Sequence, residues 1–187
     1  MNSAAKRIPG ELGLWILIFG DLFVFALFFA MFGYYRLVEP EVFRVAQPKL
    51  NQGLGLLNTL ILLTSSLFVA KAMAATRSGT PRRARRWTSF AIALGCAFVV
   101  VKVVEYSQKL AAGLTPTTND FFMLFFAFTG IHLMHVLAGL GALTILRARV
   151  GRSTPEANDP VAESCAIFWH MIDLLWVMLF AILYMHR

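Results

Sequence analysis

Long apolar runs alternate with short charged segments along the chain, five times over. The runs fall at roughly 12–35, 54–75, 88–106, 121–146 and 162–184. Each is long enough to cross about 30 Å of hydrocarbon as a helix. A strand reading fails on pattern, because membrane strands are shorter and alternate polar with apolar positions. The connectors carry turn chemistry. Pro40 and Pro48 argue against continued helix between 36 and 53. Gly113 and Pro116 interrupt 107–120, and Thr118, Asn119 and Asp120 supply capping side chains before the fourth run. Residues 152–160 form a polar link, and no repeat of fixed period is present. The pattern predicts an all-α protein: one domain over residues 1–187, an integral membrane bundle of five transmembrane helices.

Composition agrees. Apolar residues make up 58% of the chain, against roughly 45–50% in soluble domains, and 17 residues are Phe. The net charge of +7 does not point to nucleic acid, because the positives sit in the connectors, where they set membrane orientation. One side holds eleven Lys and Arg: Lys6, Arg7, Lys71, Arg77, Arg82, Arg83, Arg85, Arg86, Arg147, Arg149 and Arg152. The other holds five: Arg36, Arg44, Lys49, Lys109 and Arg187. The N-terminus is therefore expected in the cytoplasm and the C-terminus outside. PRRARR at 81–86 dominates that count and could also meet anionic head groups. The first run is too long for a cleavable signal and no small-residue cleavage site follows it. Cys96 and Cys165 have no partner spacing, so neither a disulfide framework nor a zinc site is indicated.

Candidate chemistry lies with the few polar residues inside the runs, since an ionisable group in hydrocarbon is costly unless paired or hydrated. Asp21 sits in a Phe-rich first span, where it either bonds across a helix interface or passes protons. Span two offers Asn58, Thr59, Thr64, Ser65 and Ser66. Lys102 and Glu105, three apart, share a helix face and pair with each other, or Lys102 snorkels outward. His132 and His135 share a face of span four; His170 and Asp173 share one of span five, in a spacing that fits an orienting hydrogen bond. An imidazole network with Asp173, Glu105 or Thr129 is the leading reading of these histidines. His135 and His170 also reach similar depth, which leaves a bis-histidine haem geometrically open, and a metal site conceivable. Gly130, Gly139 and Gly141 with Ala138 and Ala142 make a small-residue surface for close helix approach. Trp15 and Trp87 are placed as interfacial anchors, Trp169 and Trp176 as packing residues, and the Phe runs at 23–32 and 121–128 as lipid-facing or packing surface.

Four stretches, in order, carry a family likeness: LNTLILLTSS (57–66), VVEYSQ (103–108), TGIHLMHVLAG (129–139) and FWHMIDLLWVMLFAILY (168–184). Together they resemble subunit III of the haem–copper oxidases, over nearly the whole chain. The resemblance implies a non-catalytic subunit of a bacterial inner-membrane complex. It implies no catalytic residue, no haem and no metal in this chain. Haem with copper or iron is then expected in a neighbouring subunit I, with subunit II a further partner and bound phospholipid a companion. Support of sustained turnover and of proton uptake is also implied. Asp21 falls on the family's first-span carboxylate, where many members carry Glu; the shorter side chain leaves its proton role open. Glu105, His132, His135, His170 and Asp173 match the family's buried polar core, as structural residues and as a lipid or proton environment. Many members have two further N-terminal helices and a lipid-holding cleft beside them; the five-span reading has no counterpart of those helices, so the cleft is not expected to carry over intact. PGELGLWILIFGD (9–21) and the five-span length are most similar to the short branch associated with nitric oxide reductases, with five-span quinol and cytochrome c oxidase subunits also similar.

Two other classes compete. One is a stand-alone membrane haem protein for electron transfer, built on His135 and His170. The other is a proton-coupled transporter using Asp21 and Glu105, but that class shows inverted repeats or broken helices, and this sequence shows neither.

Overall fold

The computed structural model describes residues 12–150 and 159–185. Lys6, Arg7, Arg152 and Arg187, residues 9–11 of the PGELGLWILIFGD stretch and most of the 152–160 link lie outside the described residues. Five long helices run through the molecule: α1 (Leu12–Val38), α3 (Gln52–Arg77), α4 (Pro81–Ala111), α5 (Asp120–Val150) and α6 (Pro160–Phe180). A short α2 (Pro40–Ala46) and a 3-10 turn (Gln47–Lys49) fill the first connector, and a π turn (Ala181–Met185) extends α6. All five long elements are apolar enough and long enough to cross a membrane. This is a multi-pass membrane protein.

The helices overrun the apolar stretches. α4 and α5 have 31 residues each, about 46 Å at 1.5 Å per residue, well beyond the hydrocarbon. PRRARR is thus not in a loop but forms the first turns of α4, with Pro81 at its start, and Lys71 lies inside α3. Apolarity marks only the part of a helix in lipid. The backbone stays self-bonded into the head-group zone, and Arg is a good helix former. The first connector is also more helical than its prolines suggested. α1 does stop at Val38, before Pro40, and Pro40 then opens α2, since the first turn needs no N–H from it. On exposed α2, Glu41 hydrogen-bonds and attracts Arg44, which holds its guanidinium proton more tightly than usual.

Turn chemistry elsewhere follows the sequence. Asn119 supplies the cap of α5, its Oδ1 accepting from the Phe122 N–H at 3.0 Å. Gly113 ends α4 with φ +74, a left-handed position that glycine adopts without strain.

α3 pairs with α4 and α5 with α6, and α6 is the most deeply covered, with Trp169, Ile172, Leu175, Trp176 and Leu179 all fully buried. Small residues let it in. A Cβ on Gly139 would lie 2.6 Å from Ile172 and 2.8 Å from the Trp169 ring; one on Gly95 would lie 2.9 Å from the same ring. Gly130 and Gly141, expected to share this role, face open space instead. Gly139 lies in the α5–α6 contact; the other two are turned away from it. The two Phe runs differ: Phe121, Phe122, Phe125 and Phe128 are all buried, whereas the first run divides, Phe23 being 66% exposed and Phe25 covered. α1 lies outermost. Its buried side chains, Ile18, Phe25 and Phe32, recur every seven residues along one narrow line. Ile16, Phe19, Phe23, Leu27 and Tyr34 remain exposed.

Candidate functional site: the polar interior

Three groups of polar side chains occupy the bundle, each made by a different helix pair. The first joins α4 to the end of α6. Lys102 Nζ donates to Glu105 Oε2 at 2.8 Å and to the Tyr184 hydroxyl at 3.1 Å, and Tyr184 donates to Glu105 Oε1 at 2.7 Å. Lys102 and Glu105 are completely buried. Lys102 does not snorkel. Its ammonium lies 4.6 Å from the Trp176 ring centre and 5.3 Å from that of Phe125, so the ring faces stabilise a charge that lipid would not. The Trp176 indole N–H donates to Thr59 Oγ1 at 3.1 Å, fixing the ring that covers the ammonium. The sequence named Lys102 and Glu105 but missed Tyr184. The signal was depth: both the end of span three and the end of span five reach the same side of the membrane.

The second group links α1 to α5. His135 Nε2 lies 3.2 Å from Asp21 Oδ2, and the Nδ1–H donates to the Ile131 carbonyl at 2.9 Å. With Nδ1–H committed to its own helix, Nε2 is the ring nitrogen turned towards the Asp21 carboxyl on α1. Phe25 meets the same imidazole edge-on, 5.9 Å between ring centres. Asp21 therefore meets α5 across a helix interface. A double-mutant cycle of Asp21→Asn and His135→Gln, read by unfolding in mixed micelles, should give a coupling of about 0.6–1.7 kcal/mol, the range of interhelical polar contacts in membranes. Strictly additive single effects would show that the two groups do not interact.

The third group joins α3 to α6. Ser66 Oγ and His170 Nδ1 share a hydrogen bond of 2.5 Å. Asp173 does not orient His170; its Oδ1 has no hydrogen-bond partner among the described residues, and its carboxyl lies beside Ser66. Three residues of helix bring the two side chains to one face, but Ser66 on the neighbouring helix takes the imidazole.

His132 departs furthest from expectation. It is fully buried, and neither ring nitrogen has a hydrogen-bond partner among the described residues. The ring is wedged between Trp176, 5.2 Å away, and Phe98, 5.9 Å away. Its expected partners are otherwise engaged: Thr129 donates to the Phe125 carbonyl and receives the Tyr106 hydroxyl at 2.6 Å, while Glu105 is held by Lys102 and Tyr184. His132 and His135 thus share a helix but not a site. Among the described residues, no three His, Cys, Asp or Glu side chains converge as a metal would need.

Fold and interior together define a class: a five-span helical membrane protein that sequesters its ionisable side chains in small groups between helices. The family profile of cytochrome c oxidase subunit III matches residues 4–187, and the chain belongs to that family. It is similar to cytochrome c oxidase subunit 3 of Corynebacterium diphtheriae, 31% identical with 97% of this chain and 91% of that one covered. Cytochrome c oxidase subunit 3 of Bacillus sp. (strain PS3) is 28% identical, covering 98% and 89%. Cytochrome bo(3) ubiquinol oxidase subunit 3 of Pseudomonas aeruginosa is 31% identical over 70% of this chain; the match spans 63% of that relative, less than two thirds of its length. The likeness read from the four sequence motifs is therefore real, and the relatives' names are those of oxidase subunits.

Proposed function

We propose that this chain is the non-catalytic subunit III of a respiratory haem–copper oxidase, seated in a bacterial inner membrane beside a catalytic subunit I and with a subunit II in the same complex. Membership of the family over residues 4–187 carries the reading. Haem and copper belong to the neighbour. This chain stabilises the catalytic subunit, holds membrane phospholipid at the contact and supports proton uptake, with Asp21 and His135 the pair able to exchange a proton. The distribution of Lys and Arg supports a cytoplasmic N-terminus and an outer C-terminus. Exposed apolar side chains along α1 supply surface for lipid or a neighbouring subunit.

The partner is read as an oxidase rather than a nitric oxide reductase, because the relatives compared carry oxidase names. A stand-alone haem protein is disfavoured by the histidines themselves: His135 turns Nε2 to Asp21 on α1, and His170 turns Nδ1 to Ser66 on α3.

Affinity purification of the tagged chain from native membranes tests this. A larger haem-bearing membrane protein should come down with it in fixed ratio, and the chain expressed alone should be colourless. Failure to retain such a partner, or a Soret band from the isolated chain, would overturn the assignment. Oxygen or nitric oxide consumption by the purified complex separates the two reductase classes.

A further inference from the structure

We propose that the cavity between α3 and the first half of α6 binds the ring of a membrane-soluble quinone or its quinol, held by a hydrogen bond to His170. The cavity has a volume of about 310 Å³, at the lower end of small-molecule sites. That is room for one ring, not for a two-chain lipid. α3 lines it with Ala70, Met73, Ala74 and Arg77, and α6 with Glu163, Ala166 and His170.

His170 is the polar anchor. Its Nδ1 is taken by Ser66 Oγ at 2.5 Å, so Nε2 is the ring nitrogen left for a ligand. Ser66 serves two arrangements, because a hydroxyl both donates and accepts. When Ser66 donates to Nδ1, the Nε2–H donates to a carbonyl. When Nδ1–H donates to Ser66, the Ser66 O–H turns to the Asp173 carboxyl beside it, and Nε2 accepts from a hydroxyl. A quinone presents a carbonyl at its ring edge and a quinol presents a hydroxyl at the same place.

Charge and depth select a neutral ligand. Arg77 is in the last turn of α3 and Glu163 in the first turn of α6, so the two opposite charges stand together at the mouth. Arg149 and Asp159, at the start of α6, pair with each other at 3.3 Å. No net field therefore draws an ion inward. His170 lies seven residues beyond Glu163, about 10 Å deeper along the helix, within a membrane-spanning element. A charged head group would lose its hydration there. Alanines at 70, 74 and 166 leave the space between the helices unfilled, and the Met73 thioether packs well against a conjugated ring.

This inference goes beyond the oxidase assignment and does not rest on it. The tagged chain, purified from native membranes with whatever it retains, is placed in lipid nanodiscs and irradiated with an azido-ubiquinone. Labelled peptides are located by mass spectrometry. Adducts should fall within residues 66–77 and 163–170, and decylubiquinone or its quinol should suppress them while phosphatidylglycerol does not. His170→Leu should lower labelling about five- to tenfold, the scale of one lost hydrogen bond. His170→Gln, which keeps a hydrogen-bonding group, should retain most of it. Ala70→Phe, at an exposed wall position where the fold tolerates bulk, should abolish labelling with the imidazole intact. Adducts confined to other segments would overturn the proposal. So would labelling unchanged by His170→Leu, or suppressed as well by phosphatidylglycerol as by decylubiquinone. Adducts that form only after a neighbouring subunit is stripped away would overturn it too, assigning the cavity to that subunit's helix. The haem-to-chain ratio of the same sample reports on the oxidase assignment separately.

Discussion

Lys102→Met should lower the stability of the bundle by about 3–5 kcal/mol, the cost of leaving one member of a buried ion pair without its partner. The methionine fits the space, so packing changes little. What changes is Glu105, fully buried and left with the Tyr184 hydroxyl alone. Four aromatic rings within 6 Å of the ammonium then face an apolar chain instead of a cation. Adding Glu105→Gln should recover much of the loss, because it removes the stranded charge. Reversible unfolding by detergent titration reads both variants. A single variant as stable as the native protein, or a double variant worse than the sum of its parts, would mean that the pair is not what holds the end of α6 to α4.

The second large effect concerns packing. Gly139→Ala places a methyl group 2.6–2.9 Å from Ile172 and the Trp169 ring, closer than carbon atoms approach. Trp169 has little room to shift, because neighbouring atoms of the same ring lie as close to Gly95. The expected destabilisation is about 1–3 kcal/mol. Gly141→Ala, two residues on, meets nothing within 4 Å. It should be neutral, or stabilising by about 0.5–1 kcal/mol from the better helix former. The same unfolding titration compares the two. Matching effects would show that α5 and α6 are not in contact through Gly139.

These two predictions mark how much was legible beforehand. The five spans, their order and their all-helical nature were read correctly from the alternation of apolar and charged stretches. In lipid every backbone N–H and C=O must be bonded within its own segment, so a long apolar run determines its structure residue by residue. Family membership was legible for a related reason, since the histidine, tryptophan and carboxylate motifs lie within single helices. Helix ends were read short, because hydropathy stops at the hydrocarbon and the helix does not.

What the interior residues touch was not legible, and only the packing of the helices decided it. A three-residue spacing places His170 beside Asp173, but it cannot show that Ser66, 104 positions earlier, takes the imidazole. It pairs His132 with His135, but it cannot show that one faces Asp21 while the other is pressed between aromatic rings without a hydrogen-bond partner among the described residues. Three similar glycines on α5 give no sign that only Gly139 is crossed by an indole. Sequence sets depth along each helix. Partnership also needs the rotation of each helix about its axis and the identity of its neighbour, and both come from side chains on other segments.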